Sequence, residues 1–261
     1  MKRKKRFEGE RLRRSIYLLP NLCTAMNLFC GFYAIIASVD GKFIASAIAI
    51  LIAAVFDNLD GKVARATNAT SQFGVEFDSL ADLVSFGVAP GLMMYLWALH
   101  SLHRIGWLAS FLFVVCGALR LARFNTQAGT VSSEYFLGLP IPAGAGMTAV
   151  TVLFCHKIGF AAGRHPYLVL IMLYLLSFLM VSTIRYNSFK NLALLRNMNF
   201  NVLVTAILVL VFIAAQPSIA LFSMGVIYVV SGPLLSMRKA RVNRREALEA
   251  SREEDSGSTL I

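Results

Sequence analysis

Charge is what this chain has little of. Only 15% of its 261 residues are charged, 57% are hydrophobic and mean hydropathy is +0.66. That balance excludes an ordinary soluble domain and reads as an all-α, polytopic membrane helix bundle. Cysteine is scarce too: Cys23, Cys30, Cys116 and Cys155 form no CxxC pair and no His/Cys metal spacing, so they read as small buried hydrophobes. The four histidines, His100, His103, His156 and His165, fall near the predicted external ends of spans. They offer no H-x3-H pattern on one helix, and interfacial hydrogen bonding is preferred to zinc. No internal repeat stands out.

Apolar stretches predict eight spans, at 17–39, 43–65, 73–99, 105–124, 139–157, 166–184, 200–216 and 217–237. The chain divides into a basic segment (1–16), a transmembrane domain (17–237) and a charged tail (238–261) that loses apolar periodicity. The second span is odd. Its uninterrupted apolar part, Phe43 to Phe56, gives about 21 Å of helix against about 30 Å of hydrocarbon. Asp57 and Asp60 are therefore expected near one membrane face, with the helix continuing beyond it.

Basic residues decide which face. Eight precede Tyr17, six lie beyond Met237, and Lys62, Arg65, Arg120, Arg123, Arg185, Lys190 and Arg196 join them if the spans are even in number. That side then holds 21 of the 25 Lys and Arg residues, leaving Lys42, Arg104, Lys157 and Arg164 opposite. The asymmetry predicts that both termini and the aspartates are cytoplasmic. The net charge of +11 is not read as a nucleic-acid signal, because the cations flank spans instead of forming an aromatic-interleaved patch. Anionic lipid headgroups are the expected partner. Residues 1–16 read either as a short surface helix, with Phe7, Leu12 and Ile16 on its apolar side, or as a disordered anchor. Lys2 to Arg6 do not read as a secretory signal, because Glu8 to Arg14 is polar and a full span follows with no small-residue cleavage site.

Against this background four aspartates demand a reason: Asp57-x2-Asp60-Gly61-x2-Ala64-Arg65-x8-Gly74-x3-Asp78-x3-Asp82. Carboxylates in membrane spans are expensive and mark function by default. Asp57 and Asp60 share one face of the second span, Asp78 and Asp82 one face of the third. If those faces meet, four like charges repel unless hard cations lie among them, and an oxygen-only donor set suits Mg²⁺ or Mn²⁺. Gly61, Ala64 and Gly74 clear space for a helix or a bulky ligand. Arg65 adds a planar fork for phosphate oxygens. The set points to pyrophosphate chemistry. The alternative is an internal salt-bridge network in which Lys62 and Arg65 neutralise two of the aspartates, leaving two unpaired.

This string resembles the CDP-alcohol phosphotransferase signature and matches each of its defined positions. Pro20 to Asn27, Phe77 to Pro90, Arg120 to Asn125 and Gly138 to Ala143 are further similar to the CDP-diacylglycerol–serine O-phosphatidyltransferase branch. The resemblance implies the family's fold and a homodimer. It implies two divalent ions held by Asp57, Asp60, Asp78 and Asp82, with Asp82 also the general base toward serine. CDP-diacylglycerol is then expected against Gly61, Ala64, Arg65 and Gly74. For Asn21, Thr24 and Asn27 the choice is between nucleotide or phosphate contact and interhelical hydrogen bonding. Serine needs a cation for its carboxylate and acceptors for its ammonium, and Ser85, Arg120, Arg123 and Asn125 are the candidates. The alternative for Arg120 and Arg123 is a role as positive-inside anchors. Pro140 and Pro142 are expected to shape the start of the fifth span. Two other readings stay open: transfer to glycerol 3-phosphate, inositol or another alcohol, and a cation transporter using the aspartates as its ion path.

Overall fold

The computed structural model describes residues 2–67, 71–127, 135–187, 204, 208, 211 and 214–236. Helix α1 (Lys2–Val39) and helix α2 (Phe43–Thr67) form an antiparallel hairpin. Their turn needs a left-handed residue, which Gly41 supplies at φ 74°. The Lys42 amide then returns to the Ala37 carbonyl at 2.7 Å and closes the end of α1. Small side chains let the two helices approach: Ala34, Ala37, Ala47 and Ala53 are buried, and the Ser38 and Ser46 hydroxyls share a hydrogen bond of 2.8 Å. As expected from its short apolar part, α2 continues well past Asp60.

The third leg begins with α3 (Gln72–Asp82), continues through a π-type turn at Leu83–Val88 into α4 (Ala89–Met94), and takes a second π-type turn at Tyr95–Leu99. A 3₁₀ turn at His100–Leu102 and the positive φ of His103 reverse the chain into α5 (His103–Gln127). Helix α5 packs back on Leu83–Val88 and α4. Gly91 permits this approach, since a Cβ there would stand 3.3 Å from the Ser110 carbonyl oxygen.

Helices α6 (Ile141–Lys157) and α7 (Pro166–Val181) follow, and α8 (Pro217–Ser236) is the last described element. Pro140 is the N-cap of α6 and its carbonyl accepts from the Ala143 and Gly144 amides at 3.0 Å, so Pro140 and Pro142 do shape that start. The expected all-α architecture holds apart from one antiparallel pair, β1 (Tyr135–Leu137) with β2 (Arg185–Asn187). It ties the entry of α6 to the exit of α7, with Gly138 at φ 77° between strand and helix.

Among the described residues, four stretches are long and apolar enough to cross a membrane: Leu19–Val39, Phe43–Val63, Gln72–Thr126, which includes the reversal at His103, and Pro217–Ser236. The fifth and sixth expected spans correspond to α6 and α7, which are shorter, and the seventh lies almost wholly outside the described residues. Phe86, Phe113, Met93 and Leu173 are fully buried between helices, whereas Phe29, Phe111 and Phe178 face outward, Phe178 at 71% exposure. Such a surface would be an aggregation hazard in water and is what hydrocarbon requires.

Candidate active site

The Ser71 hydroxyl accepts from the Gly74 amide at 3.0 Å, an N-cap that starts α3. Asp78 and Asp82 then project one turn apart toward Asp57 and Asp60 on α2. Carboxylate oxygens of Asp57, Asp60 and Asp78 lie within 4.8 Å of one another. Asp82, buried at 8% exposure, lies within the electrostatic field of the other three. Two helical spacings in the sequence thus become one acidic centre.

Helix α1 closes it from a third side. Thr24, Asn27 and Gly31 follow each other along one face of α1. The Thr24 hydroxyl lies 3.0 Å from Asp60 Oδ2, and the Asn27 amide donates to Asp82 Oδ1 at 3.0 Å. Ser85, fully buried, donates to the Asn27 carbonyl at 3.0 Å. Gly31 makes the approach feasible: a Cβ there would stand 2.7 Å from Ser85 Cα. Thr24 and Asn27 thus make hydrogen bonds between helices.

The donors fit a hard divalent cation. All are carboxylate oxygens, three of them mutually close, and Asp78 Oδ1 is buried with no hydrogen-bond partner. A buried acceptor in that state awaits a ligand or a water. Among the described residues the salt bridge present joins Lys42 to Asp40, far from this centre, and Lys62 is exposed. An internal salt-bridge network therefore finds no support from Lys62.

The sequence around this centre, residues 17–184, matches the family model described as CDP-alcohol phosphatidyltransferase. The chain belongs to that family. Membership makes it a phosphotransferase, and the similarity reaches beyond the matched core. A CDP-diacylglycerol–serine O-phosphatidyltransferase of Helicobacter pylori is 42% identical over 83% of this chain and 90% of its own length. An archaetidylserine synthase of Methanothermobacter thermautotrophicus is 39% identical over 66% of this chain and 70% of its own. A CDP-diacylglycerol–serine O-phosphatidyltransferase of Methanocaldococcus jannaschii is 37% identical over 68% of this chain and 78% of its own.

The remaining candidates spread outward from the aspartates. Gly61 follows Asp60 on α2 and is half-buried; the side chains of Ala64 and Arg65 lie outside the described residues. Gly74 faces Asn21, whose Oδ1 would stand 3.3 Å from a Cβ at that position. Arg120 on α5 is buried and within electrostatic reach of Asp82. Arg123 instead donates through Nη1 to the Val181 carbonyl at 3.2 Å, and the Asn125 amide donates to Ser79 Oγ at 2.8 Å. Arg123 thus links α5 to the end of α7, and Asn125 links it to α3.

Sequence reasoning missed Ser71, Ser79 and Tyr228. Ser71 carried a readable signal, a hydroxyl directly before a helix start. Ser79 and Tyr228 carried none, because only packing shows what their hydroxyls approach.

Proposed function

We propose that the protein transfers the phosphatidyl group of CDP-diacylglycerol to the hydroxyl of L-serine, releasing phosphatidylserine and CMP. The observation that carries this is the convergence of four aspartates from α2 and α3, braced by α1, in a family member whose relatives are named for serine transfer. Asp57, Asp60, Asp78 and Asp82 would hold two divalent ions, Mg²⁺ or Mn²⁺, which when bound neutralise phosphoryl charge and stabilise the leaving phosphate.

The protein's own groups do the rest. Asp82 takes the proton from the serine hydroxyl, and Asn27 orients it by occupying Oδ1. The serine oxygen attacks the phosphorus that carries diacylglycerol; the bond from that phosphorus to the bridging oxygen breaks, and CMP leaves with the bond's electrons. Gly61, Ala64, Arg65, Gly74 and Asn21 surround the nucleotide, with Arg65 on phosphate. Thr24 holds Asp60, and Ser85 acts through Asn27 as a positioning residue. Arg120 offers its charge to the serine carboxylate, with Arg123 and Asn125 shaping that side of the pocket. The remainder of the proposal is eight spans with both termini and the site on the cytoplasmic side, supported by 21 of the 25 Lys and Arg residues.

The test uses purified protein in lipid nanodiscs with CDP-diacylglycerol, labelled serine and each metal. Labelled phosphatidylserine and an equal yield of CMP are expected. Brisk transfer to glycerol 3-phosphate or inositol without serine incorporation would reject serine as the acceptor. Cation flux with no CMP release would replace the enzyme reading with transport.

A further inference from the structure

Arg120 is the only buried Lys or Arg among the residues whose side chains are described. It is nine-tenths buried, and its Nε has no hydrogen-bond partner. Among the described residues no carboxylate lies within ion-pair distance of it. A guanidinium removed from water without such a partner is costly, so an anion is expected against it. Asp82 and Tyr228 of α8 both lie within electrostatic reach of it.

The packing brings Tyr228 to that level of the bundle. Phe222 of α8 stacks on Phe154 of α6 with ring centroids 4.2 Å apart, and a Cβ on Gly225 would stand 3.0 Å from Met147 Sδ. Each turn of α8 therefore moves one step toward the start of α6, and Tyr228 is the next turn. At that start, Ile141 Cδ1 would stand 2.7 Å from a Cβ on Gly117, one turn before Arg120 on α5. Tyr228 also packs on the hydrophobic core. Helix α8 lies outside residues 17–184, the part of the chain that matches the family.

We infer that Tyr228 braces Arg120 so that its guanidinium receives the carboxylate of the acceptor amino acid, which makes α8 a determinant of acceptor choice. The inference rests on the proposed serine transfer and deepens it. A side-on guanidinium presents two parallel N–H groups to a carboxylate, and the strength of that contact depends on its orientation. Tyr228 is a positioning residue, not a catalytic one: it acts on the acceptor through Arg120.

Full-length wild type, Tyr228→Phe, Arg120→Lys and the double variant are compared with L-serine and with serinol, in which a hydroxymethyl group replaces the carboxylate. KM for CDP-diacylglycerol and the thermal midpoint are measured on the same preparations. Tyr228→Phe should raise KM for serine by about tenfold, the scale of a hydrogen bond to a charged group. Turnover of serinol, KM for CDP-diacylglycerol and the thermal midpoint should stay near wild type. Arg120→Lys should raise the same KM at least as much, and the double variant should fall short of the product of the two effects. An unchanged KM for serine, equal losses on serine and serinol, or multiplicative effects would each overturn the inference. Wild type that incorporates no serine would instead overturn the functional reading beneath it.

Discussion

The Asn27 amide holds Asp82: its Nδ2 donates to Oδ1 at 3.0 Å across the contact between α1 and α3, and neither residue is open to water. An oriented carboxylate is a better base than a freely rotating one, because its remaining oxygen keeps one direction. Asn27→Leu should therefore lower kcat by roughly tenfold or more, on the scale of a lost hydrogen bond to a charged group. KM for CDP-diacylglycerol should change little. Steady-state kinetics with both substrates check this, and an unchanged kcat would detach Asn27 from the reaction.

The same contact depends on Gly31. A methyl group there would fall on Ser85, with its Cα only 2.7 Å away, and backbone cannot move aside as a flexible side chain can. Gly31→Ala should cost roughly 1–3 kcal/mol, the scale of overpacking in a close-packed interior. It should also reduce turnover by pushing Asn27 off Asp82. Thermal melting in detergent and activity measured on one preparation test both parts. A stable, fully active Gly31→Ala protein would show that α1 has room to shift.

How much of this was legible in the sequence depended on whether spacing along one helix was enough. Asp57 with Asp60, and Asp78 with Asp82, are neighbours on a helix face whatever surrounds them, so an acidic pair on each helix could be read directly. The partners of Thr24, Asn27 and Ser85 could not, because a hydrogen bond across helices depends on which face of α1 meets the third leg, and apolar spans carry no strong amphipathic phase. The break between the third and fourth expected spans, 73–99 and 105–124, was legible, and the chain reverses within it at His100–His103; the π-type turns at Leu83–Val88 and Tyr95–Leu99 left no such signal. The strand pair was equally hidden, since three-residue strands leave too short an alternation to recognise.

Metal removal addresses the acidic centre as a whole. With only oxygen donors, activity should vanish in EDTA and return with Mg²⁺ or Mn²⁺ but not with monovalent salt. Full turnover in rigorously metal-free protein would eliminate divalent ions from the proposed function.

The two ends of the pocket should separate kinetically. Arg65→Ala should raise KM for CDP-diacylglycerol and spare serine, because its proposed contact is phosphate. Arg123→Ala should raise KM for serine and spare the nucleotide substrate. Arg123 already donates to the Val181 carbonyl at 3.2 Å, so its loss should also lower the thermal midpoint. A change in stability with no change in the serine KM would confine Arg123 to holding α5 against α7.

The sharpest test falls on Asp82. Asp82→Asn preserves shape and one ligand oxygen but removes the charge and the proton acceptor. The chemical step should therefore slow by at least about 10²-fold. Loss of metal could produce the same fall, so CDP-diacylglycerol and Mn²⁺ binding are measured beside turnover. Retained binding with lost turnover supports the base role. Parallel loss of binding and turnover makes Asp82 chiefly a ligand. Asn27 sharpens the comparison, because its amide donates to Asp82 Oδ1 in the wild type and can still donate to the carbonyl oxygen of the introduced amide if that group faces it. Misfolding is then not the expected cause of a loss, and an unchanged thermal midpoint would confirm it. Near-normal turnover in Asp82→Asn would remove both roles and leave Asp57, Asp60 and Asp78 as the working centre.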